Sequence, residues 1–318
     1  MLFQKNCTIK NCSNINFLSS FLRLICKISK NSKFIIKNNT IEFFPGKLIG
    51  GTYNFKCKYE IFEYIEPILV LVPFSDSTTI INFTGITDKL NCIDIIKIAF
   101  FKMLEIFKIY DLSLLIKKRG FYPDGEGEVT FSCGVIREIK SINLINNDQL
   151  EKIKGLLISA RVNTSYVHEL SDKLKFILND FKVHTTHNVY NRNDSGPSPG
   201  YQCTLFSECK TGIFYNTEDG NTNLPEITAK NGAKKFLMSI NKGGCFDFKM
   251  TNTILILMAL SSSDISKIKI AKLNYSNKEL LKIIKNFTNF QYKIVKNKSE
   301  YIFVCSGIGY VNINIKLN

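Results

Sequence analysis

The sequence predicts an α/β protein of repeated βαβαββ-like units, the first truncated, with a small α/β subdomain inserted among them. Three observations carry this. The order helix, strand, helix, strand, strand occurs twice, once before about 133 and again from about 250 onward. A shorter helix–strand–strand version opens the chain. Between the two full copies lies a stretch with its own strands, helices and a turn-rich loop. The repeat core is therefore expected at 1–156 and 241–318, and the insert at 157–240.

The opening copy reads as a helix over 16–30, then the strands KFIIKN and TIEFFPG. In the second copy YEIFEYIEPILVLVPF (59–74) is a helix that strains or ends near Pro67. TIINFTGIT (79–87) is a strand. NCIDIIKIAFFKMLEIFK (91–108) puts Ile96, Ala99, Phe100, Met103, Leu104 and Phe107 on one helical stripe. Asn91 is its expected cap, and Asp94 its first-turn acid. LSLLIKKRG (112–120) and GEVTFSC (127–133) pair around the turn FYPDGEG.

The insert begins with the strand LLISARV and the helix SYVHELSDKLKFILNDF. KVHTTHNVY, the loop NRNDSGPSPG, the strands YQCTLFSE and TGIFYN and a helix from Pro225 come next. The last copy has a helix over 250–260, the strand SKIKIAKL, the helix SNKELLKIIKNF and two strands, FQYKIVKN and EYIFVCSG. Ser276 with Glu279 has capping-box spacing for that second helix.

Lys and Arg number 42 against 27 Asp and Glu, a net charge of +15. That field favours a polyanionic partner, nucleic acid before anionic membrane; a compositional bias toward Lys, Asn and Ile is the alternative source. No stretch is long and apolar enough for a spanning helix, so no membrane partner is expected. The ten cysteines show no C-x-x-C spacing and no nearby histidine, which implies reduced core thiols and no metal. His184 and His187, three apart on a strand, point to opposite faces, a poor spacing for a shared ion; with His168 they read as surface histidines. Lys117, Lys118 and Arg119 end a strand beside a glycine turn. They suit either a phosphate contact or a solvated hairpin end. Lys267 and Lys269 alternate on one strand, and Lys293, Lys296 and Lys298 lie on or just past another.

Several stretches together resemble the RNA 3'-terminal phosphate cyclase superfamily. KKRGFYPDGEGEV resembles its "RRG…P…GGGEV" signature, and PGKLIGG, FTGITD, IKGLLISARV, DSGPSPGY and GGCFD resemble further motifs in the same order. The likeness runs from about Phe21 to CSGIGY and points to the cyclase-like branch. That resemblance implies a nucleolar protein acting in small-subunit pre-rRNA maturation. Its implied partners are pre-rRNA, a large GTPase and other small-subunit processome components. It also implies the repeated fold with a small insert.

Active relatives adenylylate a histidine in an "EHxxDQ"-like segment, which needs a partly neutral imidazole. Counting through GGCFDFKMTNTILILMAL puts Lys249 at that position and Asn252 and Thr253 at the following acid and amide. The family's "EGGGQ" motif is also absent. The resemblance therefore implies no catalytic residue and no cofactor. Lys117, Lys118, Arg119, Lys242 and Lys249 are the expected RNA or anion contacts. The alternatives are a cyclase with a changed nucleophile or a pre-rRNA endonuclease. For the latter, the acid expected between Lys282 and Lys285 is replaced by two isoleucines.

Overall fold

A computed structural model of the chain describes residues 1–145, 152–209, 212–220, 224–297 and 300–315; Lys298 lies outside them. The first unit comprises β1 (Cys7–Ile9), α1 (Ile15–Lys27), the short β2 (Ser29–Lys30), β3 (Lys33–Lys37), β4 (Thr40–Phe44) and β5 (Lys47–Leu48). Asn14 caps α1 by accepting from the Phe17 N–H, and the helix buries Leu22, Leu24 and Ile25.

The second unit is β6 (Gly51–Glu60), α2 (Ile61–Ile68), β7 (Thr79–Ile86), a π-helical turn (Ile96–Phe101) running into α3 (Lys102–Ile106), β8 (Leu112–Lys118) and β9 (Gly127–Cys133). Its sheet has the order β6-β7-β9-β8, with β6 parallel to β7 and the other pairs antiparallel. The six stripe residues, Ile96 through Phe107, are all fully buried. Asn91 does not cap this helix: the Glu60 carboxylate takes its N–H. Helix α2 ends just after Pro67, and Tyr59 and Glu60 belong to the preceding strand. That strand alternates Tyr53, Phe55 and Cys57 inward with Asn54, Lys56 and Lys58 outward.

The third unit starts earlier than its sequence pattern suggested. Its first strand is β10 (Asn143–Leu144), and the insert comes after that strand: β11 (Lys152–Ala160), α4 (Ser165–Ile177), β12 (Lys182–Tyr190), β13 (Gly200–Cys209), β14 (Gly212–Asp219) and α5 (Pro225–Asn241). The unit resumes with a 3-10 turn (Phe248–Met250), α6 (Thr251–Leu260), β15 (Ile265–Ile270), α7 (Tyr275–Phe287), β16 (Gln291–Asn297) and β17 (Glu300–Ser306). Its order, β10-β15-β17-β16, matches the second unit strand for strand, including the parallel first pair. The first unit, β1-β4-β3, keeps only the last three members of this pattern, which is the truncation the sequence predicted.

Helix α7 is capped by Asn274, not Ser276. The Asn274 side chain accepts from the Asn277 N–H, and the Asn277 side chain accepts from the Asn274 N–H. Ser276 lies inside the first turn.

The insert folds as a four-stranded sheet, β12-β11-β13-β14, with α4 and α5 packed on it. Along β11, Ile153 and Leu157 join the insert's own apolar cluster, whereas Leu156, Ile158 and Ala160 join the main core. Period-two alternation thus sends alternate residues of one strand into two cores, and the insert's sheet is a shared wall.

Candidate functional site

Two of the sequence's candidates meet just before α6, the first helix of the third unit. Lys242 caps the C-terminus of helix α5, and Gly243 and Gly244 turn the chain with φ of +72° and +100°. A Cβ on Gly244 would stand 2.9 Å from the Ala271 backbone nitrogen, so the turn needs glycine for both angle and space. The Cys245 N–H then donates to Lys269 O, and the Asp247 N–H to Ile213 O, which stitches the turn to β15 and to the insert. Asp247 is fully buried and accepts from Ser239, from the Tyr215 N–H (3.2 Å) and from the Lys249 N–H (3.0 Å).

The Lys249 ammonium donates to Tyr215 O at 2.5 Å, lies 3.6 Å from Asp247 Oδ1 and sits 4.2 Å from the centre of the Tyr215 ring. Its side chain is 31% exposed. Burial lowers its pKa and the charge of Lys242 adds to that; Asp247 acts against both. Asp247 stands two residues from Lys249 in the sequence, but Tyr215 comes from the insert and left no trace there. Lys242 is exposed and its ammonium lies 3.1 Å above the Phe248 ring, whose other neighbour is Lys249 at 5.8 Å. Two cations share one aromatic ring.

Asn252 and Thr253, one turn further on, open elsewhere. They line a groove of about 440 Å³ with Asn14, Phe17, Glu63 and Glu66. Thr253 Oγ1 donates to Glu66 at 3.4 Å. Burial raises both glutamates' pKa values, and Glu60 raises that of Glu63 further. Two carboxylates beside these positions oppose a polyphosphate there. Sequence reasoning passed over Glu63 and Glu66; their i, i+3 spacing on α2 was the available signal.

The candidate triplet on β8 separates. Lys117 is exposed, and Lys118 is half-buried, 3.8 Å from Glu126. Arg119 is fully buried, which corrects its expected role as an RNA contact. Its Nη1 donates to both Asp88 oxygens at 3.1 Å and its Nη2 to Asp94 at 2.5 Å. Burial works against the guanidinium, but Asp88 and Asp94 outweigh it and hold Arg119 well above its ordinary pKa. Asp94, expected as a first-turn acid, is used here. Asp88, Cys92 and Asp94 are the one group of three potential metal ligands among the described residues, and the guanidinium already supplies their cation.

The insert closes this cluster. Tyr190 lies 5.1 Å from the guanidinium carbon, the Arg119 N–H donates to Asp194 O, and the Gly196 N–H donates to Arg119 O. Ser198 donates to Asp124. The stretches KRGFYPDGEG and DSGPSPG thus form a joint between core and insert.

The remaining candidates do not assemble into a site. His187 stacks edge-on against His168 at 5.1 Å, while His184 is exposed. Lys269 is buried against Glu300, and only Lys267 of that pair is exposed. Lys282 has an acid beside it after all, Glu279 at 2.7 Å, one turn back on an exposed helix face. Burial pushes the Cys133 and Cys305 thiols up to about 12, which leaves them inert.

Residues 17–294 match the family described as RNA 3'-terminal phosphate cyclase. The chain belongs to that family. It is 31% identical over 326 residues to the human RNA 3'-terminal phosphate cyclase-like protein, covering 94% of this chain and 87% of the human one. It is 33% identical over 316 residues to the Schizosaccharomyces pombe rRNA processing protein rcl1, covering 94% and 86%. With the Saccharomyces cerevisiae rRNA processing protein RCL1 it shares 29% over 316 residues, again 94% and 86%. Within the family these relatives carry cyclase-like and rRNA-processing names. Among the described residues no helix is long and apolar enough to cross a membrane.

Proposed function

We propose that this chain is a ribosome biogenesis factor in small-subunit pre-rRNA processing, acting in the nucleolus without cyclase chemistry. It binds pre-rRNA and a large GTPase within the small-subunit processome. The observation that carries the non-catalytic part is the state of the nucleophile position. Lys249 donates to a carbonyl, neighbours a buried carboxylate and faces an aromatic ring. These contacts favour the ammonium against the burial that lowers its pKa and engage the amine, whereas attack on ATP needs a free lone pair. The adjoining groove is acidic as well. Relatives named for rRNA processing support the ribosomal assignment. Lys242 and Lys249 around Phe248, with Lys117 and Lys118 on the other repeat, are the proposed anion contacts.

The lowered pKa of Lys249 favours one other reading, a cyclase with a lysine nucleophile. Incubating the purified chain with α-labelled ATP separates the two. No adduct is expected; a covalent nucleotide that disappears in Lys249→Met reverses the conclusion. On an RNA oligonucleotide, Lys242→Gln with Lys249→Gln should flatten the slope of log affinity against log salt by about 1.4 for a single strand. An unchanged slope removes these two residues from the interface.

A further inference from the structure

We propose a second phosphate-binding surface, at the free edge of the second repeat's sheet, which holds the backbone of single-stranded RNA. This deepens the RNA-binding reading above and rests on it. Helix α1 runs beside edge strand β6, and a polar groove of about 380 Å³ lies between them. Arg23 and Lys27 enter from the helix, and Lys56 and Lys58 from the outward positions of the strand. Asn16 and Ser19 add hydrogen-bonding groups, and no Asp or Glu lines the groove. Arg23, Lys56 and Lys58 are exposed and form no ion pair among the described residues. Lys27 donates to Asn54 O at 2.5 Å, which uses one of its three protons and fixes its ammonium at the strand edge.

Four cations without a counter-charge in one concave site repel one another, and a polyanion relieves that repulsion. The surface continues beyond the groove as a polar row across three strands. Asn82 donates to Asn54 at 2.9 Å and Thr130 to Asn82 at 2.7 Å. Glu128 bounds it at the next row. The matching face of the third repeat is different: Ile265, Val295, Ile302 and Val304 line it with Lys267 and Lys293. A polar, basic face is therefore a property of this unit and not of the fold.

The chemistry favours RNA backbone over a lipid surface. The groove is concave, and none of its lining residues is an exposed large apolar group that could enter a bilayer. With no exposed aromatic ring to stack a base, recognition is through phosphate and independent of sequence.

The test uses the full chain and a fluorescent 12-nucleotide oligouridylate, titrated between 50 and 200 mM salt. Arg23→Gln, Lys56→Gln and Lys58→Gln together should flatten the log–log slope by about 2. The affinity lost across that salt range then becomes roughly fifteen- to twentyfold smaller. A charge-matched control, Lys230→Gln with Lys267→Gln and Lys293→Gln, should leave the slope within about 0.5 of the unaltered chain. Should the triple variant misfold, Lys56→Gln with Lys58→Gln, both exposed, should still flatten it by about 1.4. RNA binding kept by the groove variants but weakened by the Lys242 and Lys249 changes overturns the groove alone. No RNA binding by the unaltered chain overturns both readings. Groove variants that lose binding to phosphatidylserine vesicles while keeping RNA binding also overturn the proposal.

Discussion

Replacing Arg119 by methionine removes the cation from a buried cluster and leaves Asp88 fully enclosed. Breaking a buried pair by deleting one partner costs about 3–5 kcal/mol, because the remaining charge is uncompensated. Three hydrogen bonds go with it, two to Asp88 and one to Asp94. At about 2 °C per kcal/mol for a chain larger than typical single domains, the melting temperature should fall by roughly 6–10 °C. The loss should also depend on pH. Burial already raises the Asp88 pKa, with Arg119 pulling it back. Without Arg119 the folded-state pKa rises further above the unfolded value, so the folded variant binds the extra proton. Its stability therefore grows as pH falls, and the gap to the unaltered chain should narrow from pH 7.5 toward pH 5.5. Urea denaturation at several pH values reads both effects. An Arg119→Met variant within about 1 kcal/mol of the original at neutral pH, or a gap independent of pH, would refute the ionic account of this joint.

Three further outcomes rest on local geometry. Asn274→Ala should destabilise by about 1 kcal/mol through loss of the cap, while Ser276→Ala should change the urea midpoint by less than about half of that; the reverse ranking would return the cap to Ser276. Gly244→Ala forces a side chain into a left-handed backbone 2.9 Å from Ala271 N and should cost about 1–3 kcal/mol by thermal denaturation. Glu66 has a pKa raised by burial, with Thr253 opposing it, so its folded form takes up a proton more readily than its unfolded form. The unaltered chain should gain stability from this group as pH falls through the raised value, and Glu66→Gln should abolish that gain in a pH series of urea midpoints.

What could be read from the chain depended on how local its cause was. The buried stripe from Ile96 to Phe107 and the strand pairing around FYPDGEG rest on spacing within one segment, and both were legible. The cap of α7 was misread because Ser276 and Glu279 satisfy one capping pattern while Asn274 and Asn277, two residues earlier, satisfy it in the fold. Strand β10 has two paired residues, too few for any period, and its identity comes from β15 beyond the insert. Arg119 has the composition of a surface contact. Its burial is set by Asp88, 31 residues before it, and by a loop from the insert. Lys249 could be located by counting, and Asp247 stands two residues before it, yet Tyr215, whose carbonyl and ring engage its amine, reaches it through tertiary packing alone.

The insert's place inside the third repeat, between that repeat's first strand and first helix, sets an order of assembly. The Ile142 N–H donates to Ser266 Oγ across 124 positions, so the last sheet cannot close until the insert and most of the later chain have left the ribosome. Closing a loop of that length is entropically slow when it is unstructured. An insert already folded, with Lys152 and Asn241 at its ends, acts as a rigid spacer that shortens the effective search. The four strands of the second repeat's sheet all lie between 51 and 133, so that sheet has no such dependence. The topology therefore lets this chain, during its own synthesis, pair its middle sheet before its last.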